Sequence, residues 1–96
     1  MPWVEIHGVD GEASTELAKK IFGAVEVGCP DMLPNVLVEE CQSRCHDFKG
    51  KTWPHIRICS SDTTYIDRLV AALRPLDVPI SVLVLGGYYP VIKSKE

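Results

Sequence analysis

Along the first stretch of chain, Val4 and Ile6 alternate with Trp3, Glu5 and His7. This period-two pattern predicts a strand with one face buried, running from Pro2 to Gly8. Between Ser14 and Val25 the period changes, and Leu17, Ala18, Ile21, Phe22 and Val25 recur at helical spacing opposite Glu16, Lys19 and Lys20. An amphipathic helix is expected there, with Ser14 or Thr15 as its cap. Gly28, Pro30 and Pro34 break the pattern, and Val36 to Cys41 resumes extended character. The polar stretch from Gln42 to Thr52 has no apolar period and reads as a surface loop or an exposed hairpin.

The same order of events then returns. Pro54, Ile56 and Ile58 follow Pro2, Val4 and Ile6 at an offset of 52. The stripe Ile66, Leu69, Val70, Leu73 follows Ala18, Ile21, Phe22, Val25 at an offset of 48, and Val82, Leu83, Val84 follow Val36, Leu37, Val38 at an offset of 46. Proline at position 75 stops the second helix. Three elements matching in order describe a βαβ unit repeated in tandem, about 2–41 and about 54–92. Joined edge to edge, two such units make an α+β fold: a four-stranded mixed sheet with both helices on one face. A ferredoxin-like arrangement has the same element order and is the alternative.

The last strand, Ile80 to Leu85, is apolar on both sides except at Ser81. Such a run is expected to be covered on both faces, so copies of the same chain are expected to pack on the side away from the helices. Gly86 and Gly87 bend the chain before Tyr88 to Ile92, which offers a short extra strand.

Composition narrows the field. Ninety-six residues with 46% hydrophobic and 24% charged positions fit one globular domain. Ten basic against 13 acidic residues give a net charge of −3, which supplies no footprint for nucleic acid. No apolar run is long enough to span a bilayer, and no secretory leader is evident, so a cytoplasmic address with reduced thiols is expected for the four cysteines.

Met1-Pro2 followed by Val4-Glu5-Ile6-His7, with Gly11 and Ser14 at the helix start, resembles the superfamily of 4-oxalocrotonate tautomerase and macrophage migration inhibitory factor. Trp53-Pro54-His55-Ile56-Arg57-Ile58, the stretch Asp67 to Leu73, and Tyr88-Tyr89 look like an uncharacterised branch of it. The resemblance implies a single tautomerase-like domain over 1–96, assembled as a homotrimer, acting as an isomerase on a small enolisable carbonyl compound such as an α-keto acid, with no cofactor. It also implies that Pro2, freed of Met1, is the catalytic base. A terminal amine titrates at about 7.7–8.0, close to the value best suited to moving a proton between carbon and oxygen. Where the family carries a substrate-binding arginine after the glycine, this chain has Glu12 and Ala13.

Candidate substrate-binding cations are therefore Arg57 and Arg44, whose planar forks suit a carboxylate. The competing expectation for Arg57 is an ion pair with Glu5 across the strands. Tyr88 and Tyr89 are candidate donors to a developing enolate. Cys41, Cys45 and His46, with His55 and Cys59, offer thiol and imidazole ligands, but the spacing lacks a second tight pair and no metal is assigned from it. The alternatives to a proline-dependent isomerase are a non-catalytic oligomeric module of the same fold and a thiol-coordinated metal site.

Overall fold

The computed structural model describes residues 2–41, 47–51 and 53–85. Strand β1 (Trp3–His7) leads to helix α1 (Gly11–Gly28), a 3-10 turn (Pro30–Asn35) and strand β2 (Leu37–Glu40). Strand β3 (His55–Ser60), helix α2 (Thr63–Leu73), a shorter 3-10 turn (Arg74–Leu76) and strand β4 (Ile80–Val84) follow. The sheet order is β2-β1-β3-β4. The outer pairs β1·β2 and β3·β4 are parallel, and the central pair β1·β3 is antiparallel. Each helix thus joins two neighbouring strands. A ferredoxin-like sheet would split each such pair with a third strand, so that alternative is ruled out.

The alternation in β1 and β3 was legible because burial enforces it. Val4, Ile6, Ile56 and Ile58 have no exposed surface, and they pack with Ile21 and Val25 of α1 and Ile66, Leu69 and Leu73 of α2. Each such side chain contributes about 1.5–3 kcal/mol of transfer free energy. In the central pair Val4 faces Ile58 and Ile6 faces Ile56, which puts the four branched side chains in one block under the helices. The two helices approach closely at Gly28, where a Cβ would lie 2.7 Å from the Ala72 side chain.

Several expectations need correction at the element ends. Helix α1 starts at Gly11 with Asp10 as its N-cap residue, one turn before the expected cap, and Ser14 is buried inside the first turns. Gly11 takes a left-handed φ of +56°, which lets the chain turn directly into the helix. Phe22, expected in the apolar stripe, stands at its edge and is 39% exposed. At α2, Asp62 caps the helix by accepting a hydrogen bond from the Thr64 amide at 2.8 Å, so the helix starts ahead of its apolar stripe. Strand pairing of β2 runs from Leu37 to Glu40, inside the expected limits, and β3 begins at His55 because the nitrogen of Pro54 cannot donate to the ladder.

Strand β4 is an outer strand, and Val82, Leu83 and Val84 remain exposed in the single chain. The expected extra strand over Tyr88 to Ile92 lies outside the described residues. Among the described residues no helix is long and apolar enough to cross a membrane.

Candidate functional site

Pro2 precedes β1 and is fully buried, and its carbonyl accepts a hydrogen bond from the Leu37 amide at 3.4 Å. It lines a cavity of about 290 Å³ together with Asp31, Met32, Asn35 and Tyr65. The 3-10 turn after α1 supplies three of these residues. Pro30 sets its first turn, Met32 anchors it in the core, and Asp31 and Asn35 are left at the surface of the turn. Tyr65 comes from the first turns of α2, so the cavity is closed from the second half of the chain.

Asp31 is bonded to the Arg68 guanidinium of α2, which holds its carboxyl below the usual carboxylate range and ties the turn to the helix. The lining therefore combines a proline, an aliphatic floor, an amide, a phenol and a carboxylate already matched to a cation.

The second concentration of chemistry lies on the sheet face away from the helices. The strand registers arrange it in rows. Leu37, Trp3, Cys59 and Leu83 form an apolar row, and Glu39, Glu5, Arg57 and Ser81 form the next. His7 faces His55 in the third. Glu5 is the hub: it accepts the Trp3 indole N–H at 3.0 Å, it shares a hydrogen bond with His7 Nε2 at 2.9 Å, and Arg57 Nη1 stands 4.0 Å from its Oε1.

Burial by itself would push the Glu5 carboxyl up. The hydrogen bonds from His7 and Trp3, helped by the charges of His7 and Arg57, outweigh that and hold it below its ordinary value. The rings of His7 and His55 stack at 4.9 Å with 9° between their planes. His55 Nδ1 lies 3.2 Å from the Trp53 carbonyl, which can only accept, so that nitrogen carries the proton. Burial pushes the Cys59 thiol up to about 11, reinforced by the charge of Glu5. Cys41 is raised as well, first by burial and then by Glu39 and Glu5.

The expected residues are thus distributed unevenly. Pro2 lies in a cavity. Arg57 faces Glu5 in the middle of the open face and is not part of the Pro2 cavity lining. Arg44, Tyr88 and Tyr89 lie outside the described residues, as do Cys45 and His46. Glu12 lines a separate cavity, of about 420 Å³, with Asp10, Glu40 and Cys41 among its neighbours. The potential ligand cluster among the described residues is Glu5, His7 and Cys41, a grouping different from the thiol set expected along the sequence. Asp31, Asn35, Tyr65 and Arg68 were not anticipated. Their one sequence signal was the pair of prolines at 30 and 34, which fix a compact turn without revealing what it faces.

Solved structures decide the fold. The architecture is that of macrophage migration inhibitory factor-like proteins. A migration inhibitory factor-like protein from Entamoeba histolytica superposes with a TM-score of 0.51 at 16% identity, covering 90% of this chain and 90% of that one. Higher structural scores come from two proteins without assigned function. One, from Vibrio cholerae, has a TM-score of 0.62 at 12% identity over 94% of this chain and 84% of that one. The other, a domain of unknown function from Sebaldella termitidis, scores 0.55 at 10% identity over 99% and 96%. No family model and no curated protein matches the sequence. The tautomerase-like fold therefore rests on backbone geometry.

Proposed function

We propose that this tautomerase-like chain is a proline-dependent keto–enol isomerase of a small enolisable carbonyl compound. The observation that carries the reading is the buried position of Pro2 on a cavity that also presents a phenol and an amide. Once Met1 is removed, the Pro2 nitrogen is a secondary amine. It takes a proton from the carbon next to the substrate carbonyl and returns it to oxygen, or the reverse. The pyrrolidine ring fixes the direction of the lone pair, which supplies orientation as well as basicity. Tyr65 and Asn35, which line the same cavity, donate hydrogen bonds to the enolate oxygen in this reading as charge develops there. For an α-keto acid, the carboxylate needs a cation, and among the described residues Arg68 is the one bonded to this cavity's lining.

Arg57 takes the ion pair with Glu5 in this reading, while Arg44, Tyr88 and Tyr89 keep the candidate substrate-binding roles that their side-chain chemistry suggests. The chain works as a homo-oligomer, a trimer by the resemblance to the tautomerase superfamily. The exposure of Leu37 at 59% and of Leu83 at 42%, at the two ends of the apolar row on the open face, supports an assembly that covers them. Free thiols at Cys29, Cys41 and Cys59 are in keeping with a cytoplasmic address.

The experiment is intact-mass measurement of the natively expressed protein, followed by turnover of an enolisable pyruvate. Loss of Met1 and a fall of about 10²-fold or more in kcat/KM for Pro2→Ala are expected. Retained Met1, or undiminished turnover in the variant, removes Pro2 from the mechanism. No turnover with Met1 removed leaves the fold as a non-catalytic oligomeric module.

A further inference from the structure

The geometry points to a zinc-type metal site formed by Glu5, His7 and Cys41 on the open face of the sheet, at the opposite end of β1 from Pro2. One ligand atom from each of the three residues lies within 4.8 Å of the other two. The backbone sets this arrangement. Glu5 and His7 are two residues apart on one strand and so share a face. The parallel register pairs Ile6 with Glu40, and the Cys41 amide bonds the Ile6 carbonyl at 2.9 Å, which carries the ladder one residue further and places Cys41 beside His7. No loop has to rearrange to bring the ligands together.

The three side chains are also shielded and positioned. His7 is 8% exposed, and the stacked His55 ring fixes its plane. Trp3 holds the second carboxylate oxygen of Glu5, leaving Oε1 turned toward His7 Nε2. Outer contacts of this kind are what orient metal ligands. A thiolate, an imidazole and a carboxylate suit zinc or cobalt(II) better than magnesium or calcium, which take oxygen ligands. Three protein ligands leave the fourth tetrahedral position to water or an exogenous donor.

Binding balances in protons. The dication takes the sulfur lone pair as the Cys41 thiol proton leaves to solvent, and it replaces the Nε2 hydrogen that bonds Glu5: a neutral His7 moves that proton to Nδ1, and an imidazolium releases one proton to solvent. Arg57, 4.0 Å from Glu5 Oε1, opposes the dication and sets a ceiling on affinity.

The test is titration of the reduced full-length protein with cobalt(II), then zinc in competition. One cobalt per chain is expected, with a thiolate-to-cobalt charge-transfer band that zinc abolishes. Cys41→Ser should lose the band. Arg57→Gln, at a half-exposed position that the core does not use, should bind about ten-fold more tightly, because a unit positive charge has been taken from beside the metal. A band that survives in Cys41→Ser places the metal on another thiol and overturns the proposal. So does the absence of saturable one-to-one binding, or an affinity in Arg57→Gln equal to that of the parent. Along the strand, His7 lies about 17 Å and Glu5 about 10 Å from Pro2, and neither lines the Pro2 cavity. Metal binding and Pro2-dependent turnover are therefore read separately, and either can fail alone.

Discussion

The two faces of one sheet hold their side chains by different means. Under the helices, Val4, Ile6, Ile56 and Ile58 are sealed by aliphatic packing. On the other side, residues alternating with them on the same strands include Glu5, His7, Arg57 and Cys59, and of these His7 and Cys59 are also buried. The first face needs only volume and shape. The second is held by directional contacts among Trp3, Glu5, His7, His55 and Arg57, each of which loses its meaning if one partner changes. The same strands can therefore carry a generic core and a specific chemical surface back to back.

The largest effect should come from the covered face. Ile58→Ala leaves a void between sheet and helices, and chemical denaturation should show a loss of about 2–5 kcal/mol. On the open face, Glu5→Ala leaves the Trp3 N–H, the His7 ring and the Arg57 charge without their shared acceptor, for an expected loss of about 1–3 kcal/mol. A loss equal to that of Ile58→Ala would mean that the polar network is no weaker than the core.

The network also has a pH signature that the aliphatic face lacks. The Glu5 carboxyl titrates below its ordinary value of 4.5 in the folded state. Its contribution is complete above that value and is lost as pH falls through the lower folded one, because the unfolded chain then binds the proton more readily. Glu5→Gln should flatten this part of the stability profile in acid, whereas Ile58→Ala should shift the whole profile without changing its slope.

Smaller effects test the edges of the comparison. Asp62→Ala removes the α2 cap and should cost about 1 kcal/mol, independent of either face. Leu83→Glu should change the stability of the single chain by about 0.5 kcal/mol or less, since Leu83 is exposed there. In light scattering the same variant should lower the assembled mass. An unchanged mass would mean that copies of the chain do not meet over Leu83.

How legible each part was in the sequence follows from the range of the interaction that fixes it. Pro2 could be singled out from its position and chemistry, and the ion pair of Glu5 with Arg57 from the repeat. Two equivalent strands paired antiparallel bring their equivalent central residues face to face. The Pro2 cavity could not be read in the same way. Asp31 and Asn35 sit on a 3-10 turn with no apolar period, and Tyr65 and Arg68 reach them from a helix in the other half of the chain. Sequence proximity groups Cys41 with Cys45 and His46, whereas the fold brings Cys41 near Glu5 and His7, the latter 34 residues earlier.

The sequence by itself determined the two βαβ units, the aliphatic block and the shared sheet, because strand and helix periods record which side of each element must leave water. Only the tertiary structure decided which polar residues become neighbours. Strand register, the direction of the central pairing and the approach of α2 to the turn after α1 are set by contacts between distant segments, and no local pattern in the chain carries them.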